Sequence, residues 1–506
     1  MANYLSILAE TIRTNRDQPA LTDFYLTEDG TAQDTSRGNR YTYGGMYAEL
    51  CRVAELLTSL GLQKGDHIAI CGANSAHWCI AYLAIAKMQG VSVTVMHSLM
   101  PDEIARLVDF SDAKALFTDA DIWAELKSQS IPQVESVIGL ENWEVLKGKM
   151  QIISLPFREE LEVGFPSFPQ SAPDDLAMIC FTSGTSSNAR GVLLSTCILS
   201  NTLFNSNLIY PLDSNIINLS ILPYSHILGL CDMLTHIIRG KNICIYQGTL
   251  SAPNLFTAIK ILQPYSLCTI PVLVTLMVKN SAMDFVKQAK QTCFMIGGAP
   301  LPKEIETFLS SNGIRFTIGY GSTESGCLIA SSIWEKRRSQ SCGLPIMGTT
   351  ITFSPAGEIL VKGENVMLGY YKDPEATAAK IDSDGWLHTG DKGHLDEDGY
   401  LYVEGRLEQD IIVLPNGENI RPDTIEALIN ALPEVSESLV LARDGHLVAI
   451  VVPSSPSLEG RAGERLSVLR TVNPQLPLFS QLYDVEITSE PLARTEKQTI
   501  KRYLYK

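Results

Sequence analysis

The residues best suited to chemistry lie in one run, Cys180-Phe-Thr-Ser-Gly-Thr-Ser-Ser-Asn-Ala-Arg-Gly-Val192. An apolar strand leads into a stretch of Ser, Thr and Gly, then a basic residue and Gly191. Small residues around Gly184 let backbone N–H groups approach phosphate oxygens. The hydroxyls of Thr182, Ser183, Thr185 and Ser186 add donors, and Arg190 adds positive charge. Thr185 or a neighbour is placed to reach a metal. The run lacks Gly-x-x-x-x-Gly-Lys-Ser/Thr, so it is not a Walker A loop. Taken alone, it also suits a plain surface loop. A second chemical candidate is His226, a lone imidazole in an apolar run.

Positioning such a loop requires a scaffold, and the first third of the chain spells one out. Tyr47–Leu60 has helical periodicity and ends at Gly61. His67–Cys71 is a short apolar strand, Ala76–Lys87 a helix, Val91–Met96 a strand, Asp102–Phe110 a helix and Ala115–Thr118 a strand. This alternation implies βαβ units around largely parallel sheet. The pattern returns at Ala177–Phe181, Asn242–Tyr246, Phe294–Ile296 and Arg315–Ile318. From Glu358 the chain turns to short strands with Asp/Gly turns at Asp382-Ser-Asp-Gly and Asp396-Glu-Asp-Gly. Beyond Gly405-Arg406 a helix at Pro422–Leu432 and paired strands at Ser438–Ala442 and Leu447–Pro453 suggest a compact tail. The expected domains are residues 1–405 and 406–506.

The 506 residues carry 40 Lys+Arg against 56 Asp+Glu, a formal charge of −16. That field opposes nucleic-acid binding by bulk charge. At 45% hydrophobic and 19% charged residues, the composition is that of a folded protein. The 11 cysteines contain no Cys-x-x-Cys pair and suit buried thiols of a reducing compartment. The N-terminus, residues 1–10, reads as a short amphipathic helix and not as a signal peptide. Ile216–Ile238 is broken by Asn218, Ser220, Pro223, His226 and Asp232, so no transmembrane segment is expected. A soluble, cytoplasmic protein is the expectation.

The phosphate-loop run resembles the first signature of the acyl-adenylate-forming superfamily, Tyr/Phe-Thr-Ser-Gly-Thr-Thr-Gly-x-Pro-Lys-Gly-Val. That superfamily includes acyl-CoA synthetases, adenylation domains and luciferase-like enzymes. Further signatures follow in order: Leu222-Pro-Tyr-Ser-His-Ile-Leu-Gly229, Gly297-Gly-Ala-Pro-Leu301, Tyr320-Gly-Ser-Thr-Glu324, Gly385-Trp-Leu-His-Thr-Gly-Asp391, Gly405-Arg406 and Asn416-Gly-Glu-Asn-Ile-Arg-Pro422. The resemblance spans essentially the whole chain. It implies an α/β fold: a large N-terminal domain with mixed sheets and a small barrel-like part, plus a small mobile α+β C-terminal domain.

The resemblance also implies roles. A carboxylate attacks the α-phosphate of ATP, giving acyl-AMP, and a thiol then displaces AMP. The loop Thr182–Ser187 is expected around the β- and γ-phosphates, with Thr323 on the α-phosphate. Glu324 is expected to hold Mg²⁺, with Thr185 as hydroxyl partner. Gly298, Ala299, Tyr320 and Gly321 border the adenine side. Asp391 meets the ribose, supported by Arg406, and His226 lies near the acyl pocket and thiol tunnel.

Three departures stand out. Gly-x-Pro-Lys in the phosphate loop is Ser187-Asn-Ala-Arg190, which exchanges a point charge for a planar fork. The hinge region Gly405-Arg406-Leu-Glu-Gln-Asp410 is one residue longer than usual, with Glu408 the hinge candidate and Gln409 next. In Arg494-Thr-Glu-Lys-Gln-Thr-Ile-Lys-Arg502, Thr499 stands where the family has its catalytic lysine and Gln498 where it has Gly. Lys497 and Lys501 flank Thr499 at two-residue offsets. They are either substitutes for the lysine or part of a solvated basic tail.

The leading expectation is an AMP-forming acid–thiol ligase that converts a fatty or other hydrophobic acid to its CoA thioester. Ile227, Leu228, Leu230, Met233, Leu234 and Leu328 are the expected acyl lining, with Asp232 its one acidic member. Alternatives are acyl transfer to the phosphopantetheine of a separate carrier protein, or a catalytically weakened nucleotide-binding homologue.

Overall fold

The computed structural model describes residues 3–147, 166–170, 172–182, 189–209, 216–407, 412–454, 461–488, 490–493 and 502–505. Two compact units emerge. One is built from Met1–His97, Pro101–Thr182 and Arg190–Gly405; the continuous body of the other is Arg406–Lys506.

The first unit holds two large sheets, each with a parallel core, as the alternation of short apolar strands and helices requires. A ten-stranded sheet has as its body the parallel series Arg315–Tyr320, Cys293–Ile296, Ser266–Thr269, Ile217–Ser220, Asn242–Gln247 and Pro19–Leu26. An eight-stranded sheet runs parallel through Leu176–Phe181, Val91–Thr94, His67–Cys71, Ala115–Thr118 and Ser136–Gly139. Gly191–Ser195 returns antiparallel to Leu176–Phe181, and Gly369–Tyr370 adds antiparallel beyond it. Where the barrel-like part is expected there is a four-stranded sheet of Thr349–Phe353, Glu358–Gly363, Leu387–Leu395 and Leu401–Arg406. Its Asp/Gly turns close as read: Gly385 N–H donates to Asp382 O and Gly399 N–H to Asp396 O, each at 3.0 Å.

The helix Ala76–Lys87 begins where Ser75 accepts from Trp78 N–H, and its first ten residues are buried on every side. A helix apolar all round belongs between layers, not on a surface. Trp78 stacks on Tyr82 at 6.0 Å and meets Tyr224 at 5.4 Å in the core beneath it. The helix expected from Tyr47 instead starts at Tyr43, capped by Thr42. Gly44 and Gly45 hid that turn from periodicity. Gly44 is there because a Cβ would lie 2.7 Å from Arg16 Cγ.

The second unit is α+β. The hairpin Val435–Arg443 and His446–Pro453 pairs with Leu482–Ile487, which runs parallel to its second strand. Asp444 and Gly445 both have positive φ, the signature of a tight two-residue hairpin turn. Helices Pro422–Asn430 and Arg461–Val472 cover the sheet, burying Ile425, Ile429, Val440, Val451, Val468 and Val485. The cysteines form no disulfide, and most are buried. Among the described residues no helix is long and apolar enough to cross a membrane.

Candidate active site

In open parallel sheets the crevice beyond the carboxyl ends of the strands is where ligands bind. The residues singled out by the motifs sit there. Thr182 follows Leu176–Phe181, His226 follows Ile217–Ser220, Gly297–Ala299 follows Cys293–Ile296, and Gly321–Glu324 follows Arg315–Tyr320.

Two of these motifs are joined by a side-chain bond across 71 residues: the Tyr320 hydroxyl donates to Asp391 Oδ2 at 2.7 Å. Asp391 is fixed from behind as well, since its N–H donates to Thr389 Oγ1 at 3.0 Å and that hydroxyl donates to Ile359 O at 2.7 Å. The carboxylate is thus oriented before any ligand arrives.

Glu324 lies in the short 3₁₀ turn Thr323–Ser325, which Ser322 and Ser325 cap reciprocally. Gly321 ahead of it is obligatory, because a Cβ there would lie 2.1 Å from Cys327 O. Glu324 Oε1 accepts from the Tyr370 hydroxyl at 2.8 Å, and its carbonyl accepts from Met367 N–H at 2.8 Å. Burial and the neighbouring Glu324 push the Tyr370 phenol well above its ordinary range, so it is a donor.

The phosphate-loop run has its neck closed. Thr182 N–H donates to Arg190 O at 3.0 Å, and Arg190 N–H donates to Thr182 Oγ1 at 3.2 Å. The Arg190 guanidinium lies 5.3 Å from the Tyr370 ring centroid, with Nε 3.4 Å from Asp373. The charge expected to face phosphate therefore has a carboxylate partner of its own. Ser183, Gly184, Thr185 and Ser186 lie outside the described residues, as do Glu408, Gln409, Lys497, Thr499 and Lys501.

His226 caps the helix Ile227–Ile237 through its backbone, with Leu230 N–H donating to its carbonyl at 3.0 Å. Desolvation pushes the imidazole down to about 4, so it is neutral near pH 7. Gly229 explains the motif spacing: a Cβ would lie 2.3 Å from Pro223 O, so only Gly lets the helix fold back on its own lead-in. Of the expected acyl lining, Ile227, Leu230, Met233 and Leu234 pack in the main core, and Leu228 lines a small cavity.

Arg406 is described within the second unit, where its Nη2 approaches Asn419 Oδ1 at 3.4 Å. Arg502, read with the basic tail, is anchored instead. Its fork meets Glu426 Oε1 and Oε2, each at 2.7 Å. Sequence reasoning missed Tyr370 and Asp373, because Gly369-Tyr-Tyr-Lys-Asp373 carries no chemical pattern. Only an edge strand brings Tyr370 to Glu324.

A family model described as "AMP-binding enzyme" matches residues 8–371, and its C-terminal domain model matches 409–505. A 4-coumarate–CoA ligase of Arabidopsis thaliana is 27% identical over 457 residues, covering 83% of this chain and 79% of that one. A 4-coumarate–CoA ligase of Pinus taeda is 29% identical, covering 80% and 79%. Among solved structures, the o-succinylbenzoate CoA synthetase of Bacillus subtilis superposes with a TM-score of 0.78 at 23% identity over 99% of this chain and 98% of its own. The amide bond synthetase of Marinactinospora thermotolerans does so at 0.80 and 20%, over 100% and 99%. These structures share the fold. The chain belongs to the AMP-binding enzyme family and is an adenylate-forming enzyme of the acid–thiol ligase type.

Proposed function

We propose that this enzyme activates a carboxylic acid with a hydrophobic body as its acyl-AMP and passes the acyl group to CoA. The observations that carry this reading are two oriented carboxylates: Asp391, held by Tyr320, for a ribose, and Glu324, held by Tyr370, for a cation. In this reading Asp391 accepts from the ribose hydroxyls while Tyr320 holds its orientation. Gly298 and Ala299 border the adenine. Thr323 donates to the α-phosphate, and the loop from Thr182 through Ser186 wraps the outer phosphates with N–H groups. The relatives' names, spanning aromatic and fatty acids, support the ligase class without choosing the acid.

Mg²⁺ fits the donor set. One oxygen of Glu324 accepts from a neutral hydroxyl, leaving a hard carboxylate oxygen for a cation. Mg²⁺ is characteristically held by one or two carboxylates plus substrate phosphates, and no cluster of three ligating side chains exists among the described residues. Glu324 would hold it, with Thr185 as second candidate, and when bound it supplies charge stabilisation at the phosphates. His226, kept neutral, borders the acyl and thiol side. Residues 406–506 form the moving domain with Glu408 at its hinge, and Arg406 supports the nucleotide. Buried free thiols fit a cytoplasmic setting.

Thr499 removes the family's lysine, so adenylation depends on Lys497 or Lys501. Adenylation is retained but slowed by on the order of 10²–10³, by analogy with a lost oxyanion donor. Carboxylate-dependent ATP–pyrophosphate exchange on wild type, Lys497→Ala and Lys501→Ala checks this; equal rates in all three overturn it. The acceptor is decided by AMP release from ATP, Mg²⁺ and an acid panel with CoA, with carrier protein, or with neither. Release only with CoA is expected. Release only with carrier, or none, overturns the reading.

A further inference from the structure

Residues 370–373 stand between two opposite charges. Tyr371 N–H donates to Gly191 O at 2.7 Å, and Tyr370 pairs with Val192. That register brings Arg190 beside Tyr370 and Asp373. The Tyr370 ring carries Arg190 over its face, with the guanidinium carbon 5.3 Å from the centroid, while its hydroxyl donates to Glu324 Oε1 at 2.8 Å. Both charges act on the same phenol: burial and Glu324 raise its pKa, and Arg190 pulls the other way. An arginine and a glutamate that share one ring are drawn to pair, because the guanidinium fork matches a carboxylate. Such a pair would take Glu324 from a cation and Arg190 from a phosphate at once.

Asp373 offers Arg190 another partner. Its Oδ2 lies 3.4 Å from Arg190 Nε. Its Oδ1 accepts from Ala376 N–H at 2.9 Å, which caps the helix Pro374–Lys380 and fixes the direction of the carboxylate. Lys372, the neighbouring cation, is committed elsewhere. Its Nζ donates to Asp112 Oδ1 at 2.7 Å, and the Tyr371 hydroxyl donates to Asp112 Oδ2 at 2.7 Å. The hold of Asp373 on Arg190 is light. Their side chains are 38% and 51% exposed, and exposed ion pairs contribute little. A polyphosphate accepts a guanidinium through two oxygens and so outcompetes one 3.4 Å contact.

We propose that Asp373 is a positioning residue for adenylation: it keeps Arg190 off Glu324 and releases it to the triphosphate. Glu324 thereby keeps its charge for the cation, and Arg190 stays within reach of phosphate. This inference rests on the ligase reading above and deepens it.

The test is Mn²⁺ binding to the full chain saturated with a non-hydrolysable ATP analogue, followed by the EPR signal of free Mn²⁺. Asp373→Asn should weaken Mn²⁺ binding about tenfold, the effect of one hydrogen-bonded charge pair formed at Glu324. Tm should hold, because Asn caps a helix as well as Asp does. Asp373→Ser, another capping residue, should behave alike. Adding Arg190→Gln to Asp373→Asn should restore the Mn²⁺ affinity, since the charge that captures Glu324 is gone. Unchanged Mn²⁺ affinity in Asp373→Asn overturns the proposal. So does a loss that Arg190→Gln does not reverse, as expected if Asp373 serves only the helix. A wild type that binds no analogue and shows no carboxylate-dependent ATP–pyrophosphate exchange defeats the ligase reading, and this proposal falls with it. Exchange in wild type together with either overturning result defeats this proposal alone.

Discussion

Two glutamates, one in each unit, are held in opposite ways. In the second unit Glu426 is neutralised: the Arg502 fork takes both its oxygens at 2.7 Å, and Val440 N–H adds a third bond at 2.7 Å to Oε1. In the first unit Glu324 is oriented but not neutralised. Its side chain accepts from the Tyr370 hydroxyl, and among the described residues it forms no ion pair. The nearby Arg190 is turned to Asp373 instead. A carboxylate whose charge is met by a bidentate guanidinium is a structural tie. One held by a neutral donor keeps its charge for a ligand. Charge partner, and not residue type or burial, separates the working glutamate from the scaffolding one.

Removing the partner of the tied glutamate should have the largest effect. Arg502→Ala leaves Glu426 uncompensated with only 10% of its side chain exposed, and breaking such a pair costs about 3–5 kcal/mol. Chemical denaturation followed by a probe in residues 412–488 should show that loss; a change under 1 kcal/mol would erase the contrast. Next in size is Tyr320→Phe. It removes a bond to a carboxylate worth up to about 1.5–3 kcal/mol of stability, and, with Asp391 no longer held for the ribose, the KM for ATP should rise. An unchanged KM would detach Asp391 from the nucleotide.

A pH-dependent effect concerns His226. Its folded pKa is depressed to about 4, against about 6.5 when unfolded. Between these values the unfolded chain binds the extra proton. Stability is therefore full above about pH 6.5, falls as pH drops, and levels off near pH 4. His226→Gln should flatten that part of a Tm-against-pH curve. An identical curve in the variant would refute it.

Much of this was legible in the sequence where the signal was local. His67–Cys71, Ala76–Lys87 and Ala115–Thr118 appear with the bounds read from their periodicity. Glu324 and Asp391 stood out because each lies within a contiguous motif. What escaped were pairings between distant segments. Tyr370 reaches Glu324 only because an edge strand pairs with Gly191–Ser195, and Arg502 finds Glu426 across 76 residues. Neither contact leaves a local pattern.

The central contrast is tested most directly by carboxylate-dependent ATP–pyrophosphate exchange in wild type and Glu324→Gln, with Tm measured on the same samples. The charge lost from Glu324 should lower exchange by about 10²–10³ at unchanged Tm. Equal exchange in the two proteins, or a loss that appears only together with unfolding, would contradict Glu324 as the working carboxylate.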